Sequence, residues 1–464
     1  MITLRFDQLV RITGGTLYNT ERAAQVFRGV SIDSRRLEPG QLFIALRGER
    51  NDGHDYIDTA LKSGAAGLVV EFDYPGLQQV GGEIPVVAVA NSHDAMIAVA
   101  VDYRDKVAPR RIGVSGSNGK TTTKEMIFHL LSAVEKRVYR SPGNYNNLFG
   151  MPLALLSMPQ DTVVAVLEMG ISVPGEMSQL AEIVKPDVMV ITNVGPSHLE
   201  FLGSVEGVAR AKLEAVQAMT PDQPLIINAD DDVLVDEVKK IGREYVSFGI
   251  EKKARFRPSS IETDETGATV VGIEKHQFRL GMFGRYQVYN LLAAYAAART
   301  LGYSFDGTDT LAIELRTAPM RGEIIVSDGV TFVSDCYNAN PDSVKSGLMS
   351  FAERKEHGRR LIVLGDMLEL GTESELYHRE VAVELSKISF DYIALVGPMS
   401  RIIADELIKA GGDSKKIEHF KDSSTCADRL NRFFMAGDLV YVKGSRGIGL
   451  EAVMQRWIEK KGNT

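Results

Sequence analysis

Residues 112–126 read IGVSGSNGKTTTKEM, and no other stretch leaves the chain so few folds to choose from. A short apolar run, Ile112 to Val114, ends in a glycine-rich turn that leads straight into Lys120, Thr121 and a helix-like segment. Gly116 and Gly119 let the backbone curl so that the N–H groups of Ser117, Asn118 and their neighbours point at one anion. The start of the helix, at Lys120 to Thr122, adds partial positive charge. Lys120 is placed to reach a β- or γ-phosphate, and the Thr121 hydroxyl suits Mg²⁺. The stretch implies a chain that binds and splits a nucleoside triphosphate. It departs from the strict form G-x-x-x-x-G-K-[ST], because Val114 stands where that form has glycine. The competing reading is a serine- and glycine-rich loop with an exposed lysine.

Around this loop, apolar strand-like runs alternate with helical patterns along almost the whole chain, which predicts α/β layers. Three blocks separate. Residues 1–89 contain SIDSRRLEPGQLFIAL and a strand in GAAGLVVE, and GGEIP at 81–85 reads as a turn. Residues 90–317 hold the phosphate loop, strands TVVAVLE (162–168) and DVMVITNV (187–194), a helix around 204–219 and an alanine-rich helix from about 288 to 301. Residues 318–464 carry strands TFVSD (331–335), RLIVLGD (360–366), YIALVG (392–397) and DLVYVKG (438–444) with helices between, a small Rossmann-like layout. The expected fold is thus a small α/β domain, a central mostly parallel phosphate-loop domain and a C-terminal Rossmann-like domain.

Composition removes several classes of function. The chain has 464 residues, 44% hydrophobic and 25% charged, as in ordinary globular proteins. A net charge of −8 argues against non-specific binding to nucleic acid or to an anionic membrane. Two cysteines, Cys336 and Cys426, make neither a disulfide framework nor a zinc spacing, so a reducing cytoplasm is expected. The start MITLRFDQLV is charged early and does not read as a signal peptide. The richest apolar run, LLAAYAAA at 291–298, is far too short to span a bilayer.

Acidic residues that close buried strands are natural metal ligands beside a phosphate loop. Glu168 ends TVVAVLE, at the carboxyl edge where parallel sheets bind ligands, and could hold Mg²⁺; the alternative is a solvated strand end. His198 follows the next strand in NVGPSHLEFLGS, and a lone histidine there is either functional or merely exposed. Arg210 and Lys212, in VARAKLEA, read as solvated helix charges. Asn144 and Asn147, in NYNNLFGMPLALL, serve equally as donors to substrate oxygens or as turn and cap residues. Asp335, in DCYNANPDS, could accept from ribose hydroxyls. Gly447-x-Gly449-x-x-Ala452 mimics a dinucleotide fingerprint, but the acidic residue expected roughly twenty positions on is missing because the sequence ends at Thr464. What remains is a basic, glycine-rich loop with Lys443, Ser445 and Arg446 that suits a carboxylate.

These residues resemble the muramyl ligase family, ATP-dependent amide ligases of peptidoglycan precursor synthesis. GSNGKT is similar to that family's phosphate loop, which accounts for Val114, and LEMG, TNVGPSHLE and ARAK resemble its metal-binding and lysine segments. Longer strings, NYNNLFGMPLALL, DCYNANPDS, LGDMLELG…H and VYVKGSRG, resemble the members that join D-alanyl-D-alanine to a UDP-N-acetylmuramoyl tripeptide. SIDSRRLEPGQLFIALRGERNDGHDY resembles their nucleotide-sugar domain. The resemblance implies ATP and two Mg²⁺ ions as cofactors, those two small molecules as substrates, and an acyl-phosphate intermediate. A monomer is expected, and the net charge of −8 speaks against a nucleic-acid partner. Carried over by residue, the resemblance implies that Lys120 and Thr121 hold phosphates and Mg²⁺, that Glu168 binds a metal, and that His198 binds a second with a carbamylated Lys212. It places Asn144 and Asn147 toward the substrate, Asn290 at the adenine, Arg321 at the phosphates, Asp335 at the ribose, and Ser34 and Arg35 near the uridine diphosphate. The chain departs from the family at Tyr286-Gln287, where His-Asn is usual. A sister ligase that adds the third amino acid typically has an Asp-Asn-Pro-Arg string that is absent here. A folylpolyglutamate synthase would lack the SIDSRR and DCYNANP segments, and a nucleotide-gated switch would leave the first block and the KGSRG loop unexplained.

Overall fold

The computed structural model describes all residues except 49–50, 81–83, 266–267, 316, 355–357 and 463–464. Part of the turn expected at 81–85 therefore lies outside the described residues. Among the described residues the three largest sheets follow one another along the chain. The first has the order Thr16–Tyr18, Val86–Val89, Gly67–Glu71, Leu42–Ile44, Val30–Ser31, parallel except for its first pair. The strand Gly67–Glu71 is buried along its whole length, as a strand covered on both faces must be.

The central sheet has six parallel strands in the order Val246–Phe248, Leu225–Asn228, Val188–Ile191, Arg110–Ser115, Val164–Glu168, Val138–Arg140. From Arg110–Ser115 the chain first builds toward Val138–Arg140 and then crosses to the other side. Arg110–Ser115 is therefore the switch point, where open α/β sheets form a crevice at their carboxyl ends. Its register sets Glu168 beside Val114 and Ile191 beside Ser115. The loop after this strand thus lies between the ends of both neighbours. The helix Lys120–Ser132 follows, and the helix Gln287–Thr300 packs on it. Leu291 through Ala298 are fully buried. A helix apolar on every side belongs inside a protein core, and its alanines let the two helices approach closely. Among the described residues no helix is long and apolar enough to cross a membrane.

An antiparallel meander, Pro258–Thr263, Thr269–Ile273 and His276–Leu280, also joins this core through Val271, Ile273, Phe278 and Leu280. No strand was expected there. The segment expected to be a helix at 204–219 is an α-helix over Val205–Leu213 followed by a 3-10 turn over Glu214–Ala218. Ser204 caps it by accepting from the Gly207 N–H. The helix Ser92–Val107 buries Met96, Val99 and Tyr103 in a core that also holds Phe6, Leu9 and Leu155, so the first two blocks share one apolar interior.

The third sheet runs Glu323–Ser327, Val330–Ser334, Leu439–Lys443, Arg360–Gly365, Tyr392–Val396, Ile417–Phe420. Its first pair is an antiparallel hairpin turned by Asp328 and Gly329, both at positive φ, and the rest is parallel. The α/β reading with a Rossmann-like C-terminal sheet holds. The loop after Arg360–Gly365 is pinned by His378 from the helix Ser374–Leu385. His378 Nδ1–H donates to the Ser374 carbonyl at 2.7 Å and Nε2 accepts from the Met367 N–H at 3.1 Å.

Burial lowers the pKa of His378 below its ordinary 6.5. The native state therefore favours the neutral ring, and its contribution is complete above pH 6.5 and lost as the pH falls below that value. Melting temperature should fall more steeply below pH 6.5 in the wild type than in His378→Gln. Parallel curves would remove this assignment.

Candidate active site

A cavity of about 710 Å³ opens between the carboxyl edge of the central sheet and the first loops of the C-terminal sheet. Its floor is the phosphate loop, whose shape is imposed by the end of the neighbouring strand. The Asn118 N–H donates to Asn193 Oδ1 at 2.9 Å, the Ser117 N–H to the Asn193 carbonyl at 2.9 Å, and Thr192 Oγ1 to the Asn118 carbonyl at 2.5 Å. A Cβ on Gly116 would lie 1.9 Å from Thr192 Oγ1, and one on Gly119 would lie 2.2 Å from Asn290 Oδ1. Both glycines also have positive φ, 145° and 80°. The loop therefore needs both glycines for space as well as for conformation. Thr192 and Asn193 were not singled out in the sequence, although they open the TNVGPSHLE string that carries His198.

Lys120 Nζ donates to the Gly116 carbonyl at 2.6 Å. Burial pushes its pKa down to about 8, with nearby Glu168 opposing and Arg321 reinforcing the shift. Thr121 Oγ1 donates to Glu168 Oε2 at 2.8 Å, and Asn146 Nδ2 donates to Glu168 Oε1 at 2.9 Å. Glu168 is 1% exposed. Thr122 also lines the cavity. Of the asparagines, Asn146 rather than Asn144 or Asn147 reaches the buried carboxylate. Asn144 is exposed outside the cavity, and Asn147 lines it while accepting from the Gly150 N–H at 2.8 Å, as a helix-start residue does. Three neighbouring asparagines gave no periodic signal to choose between them.

His198 lines the cavity at φ 54°, with Nδ1 2.7 Å from Glu369 Oε2 of the C-terminal sheet's loop. This contact holds the Glu369 carboxyl below the usual range. Lys212 is buried rather than solvated, 1% exposed, and its amine is pushed well below its ordinary pKa by burial and by the neighbouring Lys120 cation. The helix pattern hid this, because Lys212 alone faces inward while Arg210 on the same helix stays exposed. Hard oxygen donors suit Mg²⁺. Thr121 and Glu168 supply such a pair beside a phosphate cradle. His198 with a plain lysine does not, and among the described residues no three histidine, cysteine or acidic side chains converge as a metal site. Lys212 is not among the residues that line the cavity.

Asn290 Nδ2 donates to Gln287 Oε1 at 2.8 Å, and its Oδ1 accepts from Thr123 at 3.3 Å. Gln287, one of the two unusual residues, is thus a buried partner of Asn290, and Tyr286 forms cavity wall beside it. Arg321 stacks 3.9 Å over the Tyr337 ring. Asp335 Oδ2 is paired to Lys443 Nζ at 2.9 Å and accepts from Tyr441 at 3.1 Å. Asn340 Nδ2 donates across to Asn118 Oδ1 at 2.8 Å, tying the C-terminal block to the phosphate loop. In the KGSRG loop only Lys443 lines the cavity, and each polar side chain has a partner within the protein. Lys443 is consumed by Asp335, Ser445 is buried and accepts from the Leu368 N–H at 2.9 Å, and Arg446 is exposed and paired with Glu451. Ser34 and Arg35 lie far along the chain in the first block, outside the cavity wall, with Arg35 on Asp33 at 2.9 Å.

Three family models match this chain: the Mur ligase family, catalytic domain over residues 26–103, the Mur ligase middle domain over 114–298, and the Mur ligase, glutamate ligase domain over 320–446. A UDP-N-acetylmuramoyl-tripeptide--D-alanyl-D-alanine ligase from Bacillus subtilis is 34% identical over 460 residues, covering 99% of each chain. MurF from Acinetobacter baumannii superposes with a TM-score of 0.85 at 27% identity over 99% of both chains. MurF from Thermotoga maritima, in complex with ADP, superposes at 0.78 with 29% identity, over 94% of this chain and 98% of that one.

Gly119→Ala should fold but bind ATP at least about 30-fold more weakly, equivalent to about 2 kcal/mol, because its Cβ enters Asn290 at a positive φ. Unchanged ATP affinity in a calorimetric titration would contradict this account of the loop.

Proposed function

The chain belongs to the Mur ligase family, and we propose that it joins D-alanyl-D-alanine to a UDP-N-acetylmuramoyl tripeptide at the expense of ATP. One observation carries the reading. Lys120, Glu168 and the Asp335–Asn340 loop converge on one cavity, in a chain that matches UDP-N-acetylmuramoyl-tripeptide--D-alanyl-D-alanine ligases over almost its whole length. We assign residues 1–89 to the nucleotide sugar, 90–317 to ATP and 318–464 to the incoming dipeptide. The work is cytoplasmic and done by a monomer, without nucleic acid.

The tripeptide carboxylate attacks the γ-phosphate, ADP leaves, and the dipeptide amine then attacks the acyl carbon and expels phosphate. The first step brings an anion up to a polyanion, so positive charge must already be in place. Lys120 supplies it by leaving the Gly116 carbonyl for a phosphate oxygen. Phosphate favours the charged amine and offsets the burial that lowers its pKa. Arg321 adds a second cation from the C-terminal side. Thr121 and Glu168 would hold one Mg²⁺, and His198 with a carbamylated Lys212 the other; together the two ions would supply further charge neutralisation of the phosphates. Asn290 and Gln287 form the nucleotide wall. Asn118 and Asn340 clasp the two blocks, so that water is kept from the acyl phosphate. Ser34 and Arg35 contact the uridine diphosphate, Asn144 and Asn147 the peptide, and Asp335 the ribose. Ser445 and Arg446 support the dipeptide side.

Lys212 is suited to carbamylation because burial and the neighbouring Lys120 cation favour its uncharged amine, the form that attacks carbon dioxide. Nitrogen bonds to carbon, one proton leaves, and the product is an anion that relieves repulsion with Lys120.

Phosphate release should require ATP, the UDP-muramoyl tripeptide (lysine or diaminopimelate form) and D-alanyl-D-alanine together. Lys120→Ala should abolish it without changing the melting profile. Release with ATP alone would favour a nucleotide switch instead. With ¹³C-bicarbonate the protein should show a carbamate carbon signal that Lys212→Ala lacks. A wild-type spectrum without that signal would leave the second metal site unsupported.

A further inference from the structure

Lys124 lies one helical turn beyond Lys120, on the same face of the helix Lys120–Ser132, and no step above uses it. Its side chain is 0% exposed. Its Nζ donates to the Ser141 carbonyl at 2.9 Å and the Gly143 carbonyl at 3.1 Å. The same atom stands 3.5 Å from Glu168 Oε2 and 3.5 Å from Glu125 Oε1, whose other oxygen pairs with Arg140 at 2.9 Å. A lysine is rarely buried so completely, and one that is has been given partners for each of its protons.

Those partners frame Glu168. One of its oxygens accepts from Asn146, and the other accepts from Thr121 and faces the Lys124 ammonium. A divalent cation arriving at this carboxylate alone would meet a fixed, dehydrated positive charge next to it. Lys124 cannot swing away, because its remaining protons close the Ser141–Gly143 turn that leads into the asparagine loop. Nucleotide phosphates change the balance by bringing several negative charges to the same place.

We propose that Lys124 is a built-in counter-cation for Glu168, which keeps divalent ions off the carboxylate until they arrive with nucleotide. Lys124 is then a positioning residue: it holds Glu168 and the Asn146 loop without touching substrate. The inference rests on the reading of Glu168 as a Mg²⁺ ligand.

The test is Mn²⁺ binding to the full-length, nucleotide-free protein by electron paramagnetic resonance. Wild type and Glu168→Gln should give the same isotherm, since no binding at this site involves Glu168 before nucleotide. Lys124→Gln removes the charge and keeps an amide to serve the two carbonyls. It should bind Mn²⁺ at least about tenfold more tightly than wild type, and Glu168→Gln should cancel the gain. A folded Lys124→Gln that gains nothing would overturn the proposal. So would wild-type binding that Glu168→Gln weakens, an outcome readable even if Lys124→Gln fails to fold. Loss of the premise is separately visible. If Glu168→Gln leaves Mn²⁺ binding in the presence of ATP unchanged, Glu168 is not the ligand, and no Lys124 variant is needed to see it.

Discussion

The phosphate loop holds its shape because the strand beside it ends in Thr192 and Asn193, whose side chains and carbonyl occupy the inner groups of Ser117 and Asn118. A glycine-rich loop free in solution would sample many conformations, and ordering it on binding would consume much of the affinity for phosphate. Here that ordering is done at folding. The switch in strand order at Arg110–Ser115 makes it possible, since only at such a point do strand ends on both sides reach the same loop. Glu168 enters from one side and the Thr192–Ser197 segment from the other.

The second level of organisation is the seam with the C-terminal block. Asn118 with Asn340 and His198 with Glu369 are polar pairs that cross it. The first is a neutral amide pair and the second a histidine–carboxylate contact whose carboxylate is half-exposed. Contacts of this kind fix register and contribute little net stability, and Phe283 adds a buried apolar contact across the same seam, its ring centroid 5.5 Å from that of Tyr441. The first two blocks share a larger continuous apolar core that includes Phe6, Met96 and Leu155.

Much of this was legible in the residues. The central strands are near-continuous apolar runs, and Gly116-x-x-Gly119-Lys120-Thr121 announces both its turn and its ligand, so the fold class and the core of the site follow from local pattern. What stayed hidden is set by tertiary neighbours. Lys212 and Arg210 lie on one helix and look alike, yet only the packing of that helix buries the first. Asn146 could not be told from Asn144 or Asn147, because a loop has no period that says which side chain points inward. In the KGSRG loop the local pattern shows the basic and hydroxyl groups but not that Lys443 and Ser445 also bond to Asp335, Leu368 and Ala339. The meander at 258–280 was missed because short alternating strands on a half-exposed surface give a weak signal.

The central claim is that the tripeptide carboxylate itself takes the γ-phosphate. It is tested most directly by turning over a UDP-muramoyl tripeptide whose terminal carboxylate carries ¹⁸O at both oxygens and weighing the phosphate released. An acyl-phosphate route leaves one carboxylate oxygen on phosphorus, so each phosphate formed should carry one ¹⁸O. Unlabelled phosphate, formed at the same rate as the pentapeptide, would contradict the account.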